Sequence, residues 1–432
     1  MAPAASLALQ AGYDVTGDDL MENHRTLALR SAGASIEIGK NTLPTGSYRA
    51  VVKSGAVAAS EGNWRNTPVL QRLQFVQRVF SEKDVLAVCG SVGKSSAASI
   101  IHAAFKESKP SCYIGADIDG MLCGANLSAG PWAVTEACEY QDSYFALAPR
   151  MLILLNITSN HEDHFGNGTS GFSRSFHSLV NASYDVLDHV VLTEQAAATL
   201  RSHSLGVSGH TVGPTGEDWM LVIEDCTPYS TTFKLLNGSQ SDRFSLPLVG
   251  PHSATAAGVA VIAARLAGLD DRAIQTGLDE AQLPDRRMSV VHSSERVAVY
   301  DDNARLPVQL ASLLQALRQR HAEQRIIVLI SPWGRRNRRD LVAWADVAAE
   351  YDHVYVLPVG NASTDHGGAE DPTAAIALAE MIEQRGGSAV AIDQVEEVVL
   401  PVDGQIRPDV YVTAGYDSNQ AIFAAVHRHL ML

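Results

Sequence analysis

The stretch VCGSVGKSS, Val88 to Ser96, decides the class of fold. The residues leading into it, DVLAVCG from Asp84, form an apolar run of the kind that makes a buried parallel strand. The residues leaving it, KSSAASIIHAAFKES, read as an amphipathic helix. In a strand, glycine loop and helix joined in that order, backbone N–H groups of the loop and of the helix N-terminus point at an anion, and the glycines permit its close approach. Lys94 suits the outer phosphates of a nucleotide and Ser95 a magnesium ion. Gly90, Ser91, Gly93, Lys94, Ser95 and Ser96 are therefore the expected ATP-binding residues of the loop. The spacing is unusual. The G-x-x-x-x-G-K-[ST] pattern wants a glycine where Val88 stands, and the glycine here, Gly90, comes only three residues before Gly93.

Outward from the loop, WAVTEACEY, MLILLNIT and DHVVLTE are further strand candidates separated by helix or loop material, and parallel α/β is the expected class. LPLVGPHSATAAGVAVIAARLAG reads as a loop followed by a long alanine-rich helix capped by Gly268. After LPDRRM the composition shifts, and RVAVYDD, RIIVLIS, HVYVLPVG, SAVAIDQ and DVYVTAGYD again alternate strand with helix. The first eighty residues open on a helix, APAASLALQAG, before the short strand YDVTGDD and the apolar run YRAVVKSGAV. A nucleotide-binding βαβ unit starts instead on a strand and its glycine turn. Three domains are expected, over 1–82, 83–287 and 288–432.

Bulk properties narrow the function classes. The 432 residues exceed what one core usually organises. With 46% hydrophobic and 19% charged residues the chain reads as an ordinary soluble globular protein. A formal charge of −15 repels a phosphate backbone over most of the surface and argues against nucleic acid as the main partner. The five cysteines have no C-x-x-C spacing and are odd in number, which suggests neither a zinc knuckle nor a disulfide framework. With no apolar run of eighteen residues and no basic leader before an apolar core, the expectation is a cytoplasmic protein without a membrane partner.

The short loop fits G-T-x-G-K-[ST], and with it the chain resembles the Mur ligase family, three-domain ATP-dependent enzymes that form amide bonds. The similarity runs over nearly the whole length and is strongest toward the branch that adds L-alanine to UDP-N-acetylmuramate. AVTEACEYQDSYFALAP resembles that branch's acidic segment, LLNITSNHEDHF its N-I-x-x-D-H-x-D-x-[YF] segment, LPDRRM its R-R-[FM] segment and YDDNARLP its D-D-Y-[AG]-H-H-P segment. The resemblance implies a central parallel sheet carrying the phosphate loop, with Rossmann-like N- and C-terminal domains. It also implies ATP and Mg2+ as cofactors, with Lys94, Glu136 and His161 as catalytic residues and Ser95, Glu136 and His161 around the metal. Asp163 falls at the second carboxylate of the histidine segment. His252, Arg287 and Asp302 join the ATP contacts, Asp302 near the ribose. Magnesium, Lys94 and Arg287 would stabilise charge on a phosphoryl group in flight, and an acyl phosphate would then meet a neutral amine. Cys138 belongs to an E-A-C-E-Y found in related ligases and reads as structural. Cys89 reads as core, as does the stripe Trp132, Tyr140, Tyr144 and Phe145.

Departures from the family pattern bear on the substrate. The glycine-rich turn that holds uridine diphosphate would lie before Met1, and GAVAASEGNWRNTPVL is shortened. The adenine-contacting R-H-N-x-x-N is PHSATA, which keeps His252 and places Ser253 and Ala256 at the asparagines. Around the incoming amino acid, Asn303 replaces the tyrosine and Arg305 and Leu306 the histidines, while PWGRRNRRDL carries Trp333, Gly334 and Asn337 in place of His, Arg and Arg. A pocket stripped of its polar contacts rejects its old ligand strongly. Asn303, Arg305, Trp333 and Asn337 are the expected substrate contacts, and the partners are a small-molecule carboxylate and an amine. The basic run Gly334 to Arg339 reads as a solvated or anion-facing loop. The leading expectation is a ligase for a substrate other than UDP-N-acetylmuramate and L-alanine, in a specialised small-molecule pathway. A conventional cell-wall ligase, a nucleotide-binding pseudo-ligase and a folate- or polyglutamate-type ligase are the alternatives. Oligomeric state is not legible, although a homodimer is compatible.

Overall fold

A computed structural model describes residues 1–39, 47–54, 67–294, 297–331, 341–358, 372–393 and 409–415. These form two compact units. The first comprises Met1–Asp225, Ser230–Leu248 and Ser253–Pro284, and the second Cys226–Tyr229, Val249–His252 and Asp285–Leu432. The N-terminal eighty residues thus pack within the same unit as the phosphate loop, and the chain passes into the second unit at the LPDRRM segment.

The first unit opens with α1 (Ala2–Gln10), the strands β1 (Thr16–Asp19) and β2 (Ser35–Ile38) joined by α2 (His24–Ser31), and the strands β3 (Val51–Lys53) and β4 (Val69–Gln71), followed by α3 (Arg72–Val79). β1 and β2 pair in parallel, as do β3 and β4. Asn23 caps α2 by accepting from the backbone N–H groups of Arg25 and Thr26.

The main sheet follows. Its strands are β5 (Asp84–Cys89), β6 (Ser111–Tyr113), β7 (Ala125–Asn126), β8 (Trp132–Glu136), β9 (Pro149–Leu154), β10 (His189–Thr193), β11 (His210–Gly213), β12 (Trp219–Cys226), β13 (Thr231–Asn237) and β14 (Gln240–Leu246). They lie in the order β14-β13-β12-β11-β10-β9-β5-β8-β6-β7. The predicted strands at 84, 132, 149 and 189 are all present, and β5 pairs in parallel with both β8 and β9. Side chains along β5 alternate between two cores, Leu86 and Val88 in one and Val85, Ala87 and Cys89 in the other, so β5 is apolar on both faces. Helix α4 (Lys94–Ala104) buries Ala97, Ala98, Ile100, Ile101 and Ala104 against one of these cores. From β5 the chain crosses toward β6 and β8 on one side and then to β9 and β10 on the other. That reversal creates the switch-point crevice where open α/β sheets bind ligands. The edge beyond β12 is an antiparallel β13–β14 hairpin turning at Gly238–Ser239, an element the sequence reading did not identify.

The second unit is built on a six-stranded sheet of β15 (Ser289–Ser293), β16 (Val297–Asp302), β17 (Arg325–Ser331), β18 (His353–Val356), β19 (Ala389–Ala391) and β20 (Asp409–Gly415), ordered β15-β16-β20-β17-β18-β19. β15 runs antiparallel to β16, and the remaining pairs are parallel. Among the described residues, no helix is long and apolar enough to cross a membrane.

Candidate active site

The C-terminal ends of β5, β8 and β9 stand side by side, with Val88 level with Glu136 and Cys89 with Leu154. Each strand delivers one part of the site: the phosphate loop after β5, the acidic segment at the end of β8, and the NITSNH segment after β9.

The loop needs its two glycines for different reasons. Gly93 caps α4 in the left-handed region at φ 80°. Gly90 has φ 148°, and a Cβ there would lie 3.1 Å from Leu155 Cβ and 3.4 Å from the Asn156 nitrogen. The close approach matters because NITSN braces the loop. Ser91 N–H donates to the Asn156 carbonyl at 3.1 Å, and Val92 N–H donates to Asn156 Oδ1 at 2.9 Å. Asn156 Nδ2 returns a bond to the Val92 carbonyl at 2.9 Å. The Ser91 hydroxyl donates to Thr158 O at 3.1 Å and accepts from Thr158 N–H at 2.9 Å. Asn156 and Thr158 were not singled out from sequence.

Lys94 and Ser95 occupy the first turn of α4, beside a half-buried Ser96. The Ser95 hydroxyl donates to Glu136 Oε2 at 2.7 Å. Gly115 faces the same carboxylate, since a Cβ on it would come within 3.4 Å of Oε2. Lys94 donates to the Gly90 carbonyl at 2.5 Å and pairs at 2.7 Å with Glu139, which the sequence reading did not name. The other oxygen of Glu139 lies 3.3 Å from His161 Nε2. Glu139 is only 1% exposed. Burial pushes its carboxyl up, but the neighbouring Lys94 and His161 outweigh burial and hold it below the usual carboxylate range. Burial likewise works to lower the Lys94 ammonium, and Glu139, Cys138 and Glu136 reverse this and raise it. Both directions describe a charged pair.

The structure therefore joins Ser95 to Glu136 and His161 to Glu139. Further contacts fasten the acidic segment to the histidine segment. Tyr140 donates to Asp163 Oδ2 at 3.0 Å and its ring lies over His161 at 4.7 Å, while His164 Nε2 meets Asp142 Oδ2 at 3.0 Å. Gln141, Asp142 and His161 all have left-handed backbone, at φ 54°, 52° and 54°. Each such non-glycine residue costs about 1–3 kcal/mol and persists where its surroundings over-determine it, typically at functional sites. Of the predicted aromatic stripe, Tyr144 is buried, Phe145 is exposed and Tyr140 belongs to this clasp.

Arg72, at the start of α3, is a further residue the sequence reading passed over. Tyr113 above all, with Cys138 and Glu136, raises its guanidinium against the opposing effect of burial. It makes no ion pair with a carboxylate among the described residues. Cys138 is half-buried, and burial raises its thiol. Cys89 lies wholly in the core.

The second unit carries the remaining expected residues. Asp302 Oδ2 accepts from Met288 N–H at 2.8 Å, and burial pushes its carboxyl up to about 6 against the opposing pull of Arg287. Arg287 donates to the Arg286 carbonyl at 3.0 Å. Arg286, with φ 60°, reaches Asp301 at 3.2 Å and the Gly415 carbonyl at 2.8 Å. Arg305 Nε donates to Asn303 Oδ1 at 2.9 Å, so these two expected substrate contacts bond each other. His252 is exposed, whereas Ser253 and Ala256 are buried. Trp333, Gly334 and Asn337, with the rest of the basic run to Arg339, lie outside the described residues.

The donor set suits a nucleotide with magnesium. The Ser95 hydroxyl and the Glu136 carboxylate are hard oxygen donors of the kind Mg2+ selects, and the glycine loop at a helix N-terminus suits phosphate. Among the described residues, no three His, Cys, Asp or Glu side chains are grouped to hold an ion by themselves.

A glycine loop braced at the switch point of a parallel sheet, with lysine, hydroxyl and carboxylates gathered beside it, defines a phosphate-loop nucleotide enzyme. Residues 286–416 match the family model described as Mur ligase, glutamate ligase domain. The UDP-N-acetylmuramate–L-alanine ligase of Bdellovibrio bacteriovorus is 27% identical over 439 residues, covering 96% of this chain and 93% of that protein. The enzyme of that name from Mycobacteroides abscessus is 28% identical over 450 residues, covering 96% and 90%. The crystal structure of UDP-N-acetylmuramate–alanine ligase MurC from Thermotoga maritima superimposes with a TM-score of 0.82 at 21% identity, covering 100% of this chain and 96% of that one. The chain is thus similar to Mur ligases nearly end to end, and residues 286–416 carry the match to their glutamate ligase domain.

Proposed function

We propose that this protein uses ATP and Mg2+ to activate a carboxylate as an acyl phosphate and then joins it to an amine, releasing ADP and phosphate. We further propose that its substrates differ from UDP-N-acetylmuramate and L-alanine. The observation that carries the ligase reading is the convergence of Lys94, Ser95 and Glu136 at the ends of β5 and β8, beside the braced glycine loop. Lys94 would meet the outer phosphates, and Ser95 and Glu136 would hold the magnesium ion, which lowers the cost of charge building on the transferred phosphoryl group. His161 belongs to the same machinery, and Arg72, which makes no ion pair among the described residues, would meet a substrate carboxylate. The finer reading, on substrate, is supported by the acceptor segment, where Asn303 and Arg305 are bonded to each other at positions that are aromatic and histidine in the L-alanine branch. Asp302 and Arg287 are proposed as nucleotide contacts of the second unit.

A second reading, a conventional cell-wall ligase, is favoured by the names of the relatives that match almost end to end. ADP release separates the two. The purified protein is assayed with MgATP, first with UDP-N-acetylmuramate and L-alanine and then with panels of carboxylates and amines, with Lys94→Ala as control. Turnover with the cell-wall pair refutes the altered-substrate reading. Loss of calorimetric MgATP binding in Lys94→Ala supports the enzyme, whereas a wild-type protein that fails to bind millimolar MgATP refutes the ligase reading.

A further inference from the structure

We propose that Gln195 is a positioning residue for nucleotide, acting through two peptide planes that hold Ser91 of the phosphate loop. Its effect on nucleotide rests on the ligase reading, but the grip itself does not. Ile157 stands between Asn156 and Thr158, the two residues that brace the loop. Its N–H donates to Gln195 Oε1 at 3.0 Å, and its carbonyl accepts from Gln195 Nε2 at 2.9 Å. A trans peptide is planar, with its N–H and C=O on opposite edges. The plane whose N–H meets Gln195 carries the Asn156 carbonyl on its other edge, where it accepts from Ser91 N–H at 3.1 Å. The plane whose carbonyl meets Gln195 carries the Thr158 N–H, which donates to the Ser91 hydroxyl at 2.9 Å. One side-chain amide thus sets the rotation of two planes, and both planes end on the same loop residue.

The order of strands explains why a residue so far along the chain does this. β9 lies between β5 and β10, so the segment after β9 runs between the phosphate loop and the start of the helix Glu194–Ser202. The β9–β10 ladder ends with Leu154 opposite Leu192, and side chains take over from there. The Thr193 hydroxyl donates to the Leu155 carbonyl, and Gln195 takes both backbone groups of Ile157. Thr193 also caps its helix, accepting from Ala196 N–H at 3.2 Å. Gln195 is exposed and serves neither cap nor core, so its bond to Ile157 is the distinguishing task of its side chain. Thr199 accepts the other amide hydrogen at 3.2 Å and steadies the group. The Ile157 side chain is buried and anchors the residue, while the rotation of its peptides is left to their hydrogen bonds. A loop that meets phosphate through backbone N–H groups gains affinity when those groups are aimed in advance.

The test is amide hydrogen exchange without nucleotide, read residue by residue, together with MgADP affinity by calorimetry. Gln195→Met removes both bonds to Ile157. The Ser91 and Thr158 amide hydrogens should then exchange at least about threefold faster relative to Val191 in β10, and MgADP should bind at least about threefold more weakly. Gln195→Glu separates the two planes, because a carboxylate still accepts from Ile157 N–H but no longer donates to its carbonyl. There Thr158 should quicken about threefold or more while Ser91 keeps its wild-type rate. A residue that served only the stability of its helix would not split the two amides. Equal changes at Ser91 and Thr158 in Gln195→Glu, or no change at either, overturn the proposal. So does a loss of MgADP affinity in Gln195→Met smaller than about threefold. Should Gln195→Met fail to fold, the split of amides in Gln195→Glu carries the test. Exchange needs no nucleotide, so a wild-type protein that fails to bind MgADP would count against the ligase reading and leave the exchange result standing.

Discussion

Asn156→Ala isolates how much of the nucleotide affinity comes from bracing the loop. The Asn156 side chain makes two bonds to one residue of the loop, accepting from Val92 N–H and donating to Val92 O, each at 2.9 Å. The backbone bond from Ser91 N–H to Asn156 O survives the substitution. A net hydrogen bond is worth about 0.5–1.5 kcal/mol, and Val92 is half-buried, so water partly replaces the lost partners and the total is about 1–2 kcal/mol. Asn156 bonds to backbone groups of Ser91 and Val92, so the loss acts on the population of the binding-competent loop. At about 1.4 kcal/mol per tenfold, MgADP should bind about 5- to 30-fold more weakly. Calorimetry measures this, and exchange of the Val92 amide hydrogen should quicken by a similar factor. Asn156→Asp should weaken binding further, because it keeps the acceptor, loses the donor and sets a negative charge beside the phosphates. If Asn156→Ala binds MgADP within twofold of wild type, the loop holds its shape without the brace and the reasoning fails.

Gly90→Ala should reduce MgADP affinity at least tenfold and lower the melting temperature, since the new methyl meets Leu155 at 3.1 Å and φ 148° is foreign to alanine. Arg72→Gln should leave MgADP affinity within twofold while raising KM for the carboxylate substrate about tenfold in the ADP-release assay; equal KM values would remove Arg72 from the substrate site. Asp302 gives a pH signature. Its folded carboxyl is raised to about 6 by burial, so its contribution to stability is fully present below about pH 4 and is lost as the pH rises through 6. Asp302→Asn should therefore raise the melting temperature of the second unit at pH 8, with the gain disappearing at pH 4, as calorimetric scans at the two pH values would show.

Much of the fold was legible because its strands are buried on both faces and read as continuous apolar runs: β5, β9 and β17 stand where DVLAVCG, MLILLNIT and RIIVLIS predicted them. The order of motifs along the chain pointed to the family, and the parallel sheet and its matched domain agree. The β13–β14 hairpin carried a readable signal in its Gly238–Ser239 turn, yet its strands TTFKLLN and QSDRFSL are too polar in part to stand out as apolar runs. Residues braced through backbone groups left even less trace. Thr158 meets Ser91 through its backbone and Asn156 meets Val92 through a neutral amide, neither of which stands out as a charged or nucleophilic group in the sequence.

Glu139 marks the deeper limit of reading by motif. EACEY holds two glutamates three residues apart, and a motif match assigns one of them, Glu136, to the metal. At the end of β8 the chain leaves the extended conformation, and the 3-10 segment Tyr140–Ala146 follows with left-handed residues at Gln141 and Asp142. Glu136 thus stays at the strand end with Ser95, while Glu139 turns inward beneath the loop to Lys94 and His161. Two identical side chains meet different partners, Ser95 for one and Lys94 with His161 for the other. Backbone strain, supported by the Tyr140 and Asp142 contacts, is what separates them. It follows that the tolerance of this site to substitution should track the clasp as closely as the loop: relaxing Asp142 out of its left-handed turn moves Glu139 without touching any residue that meets the nucleotide.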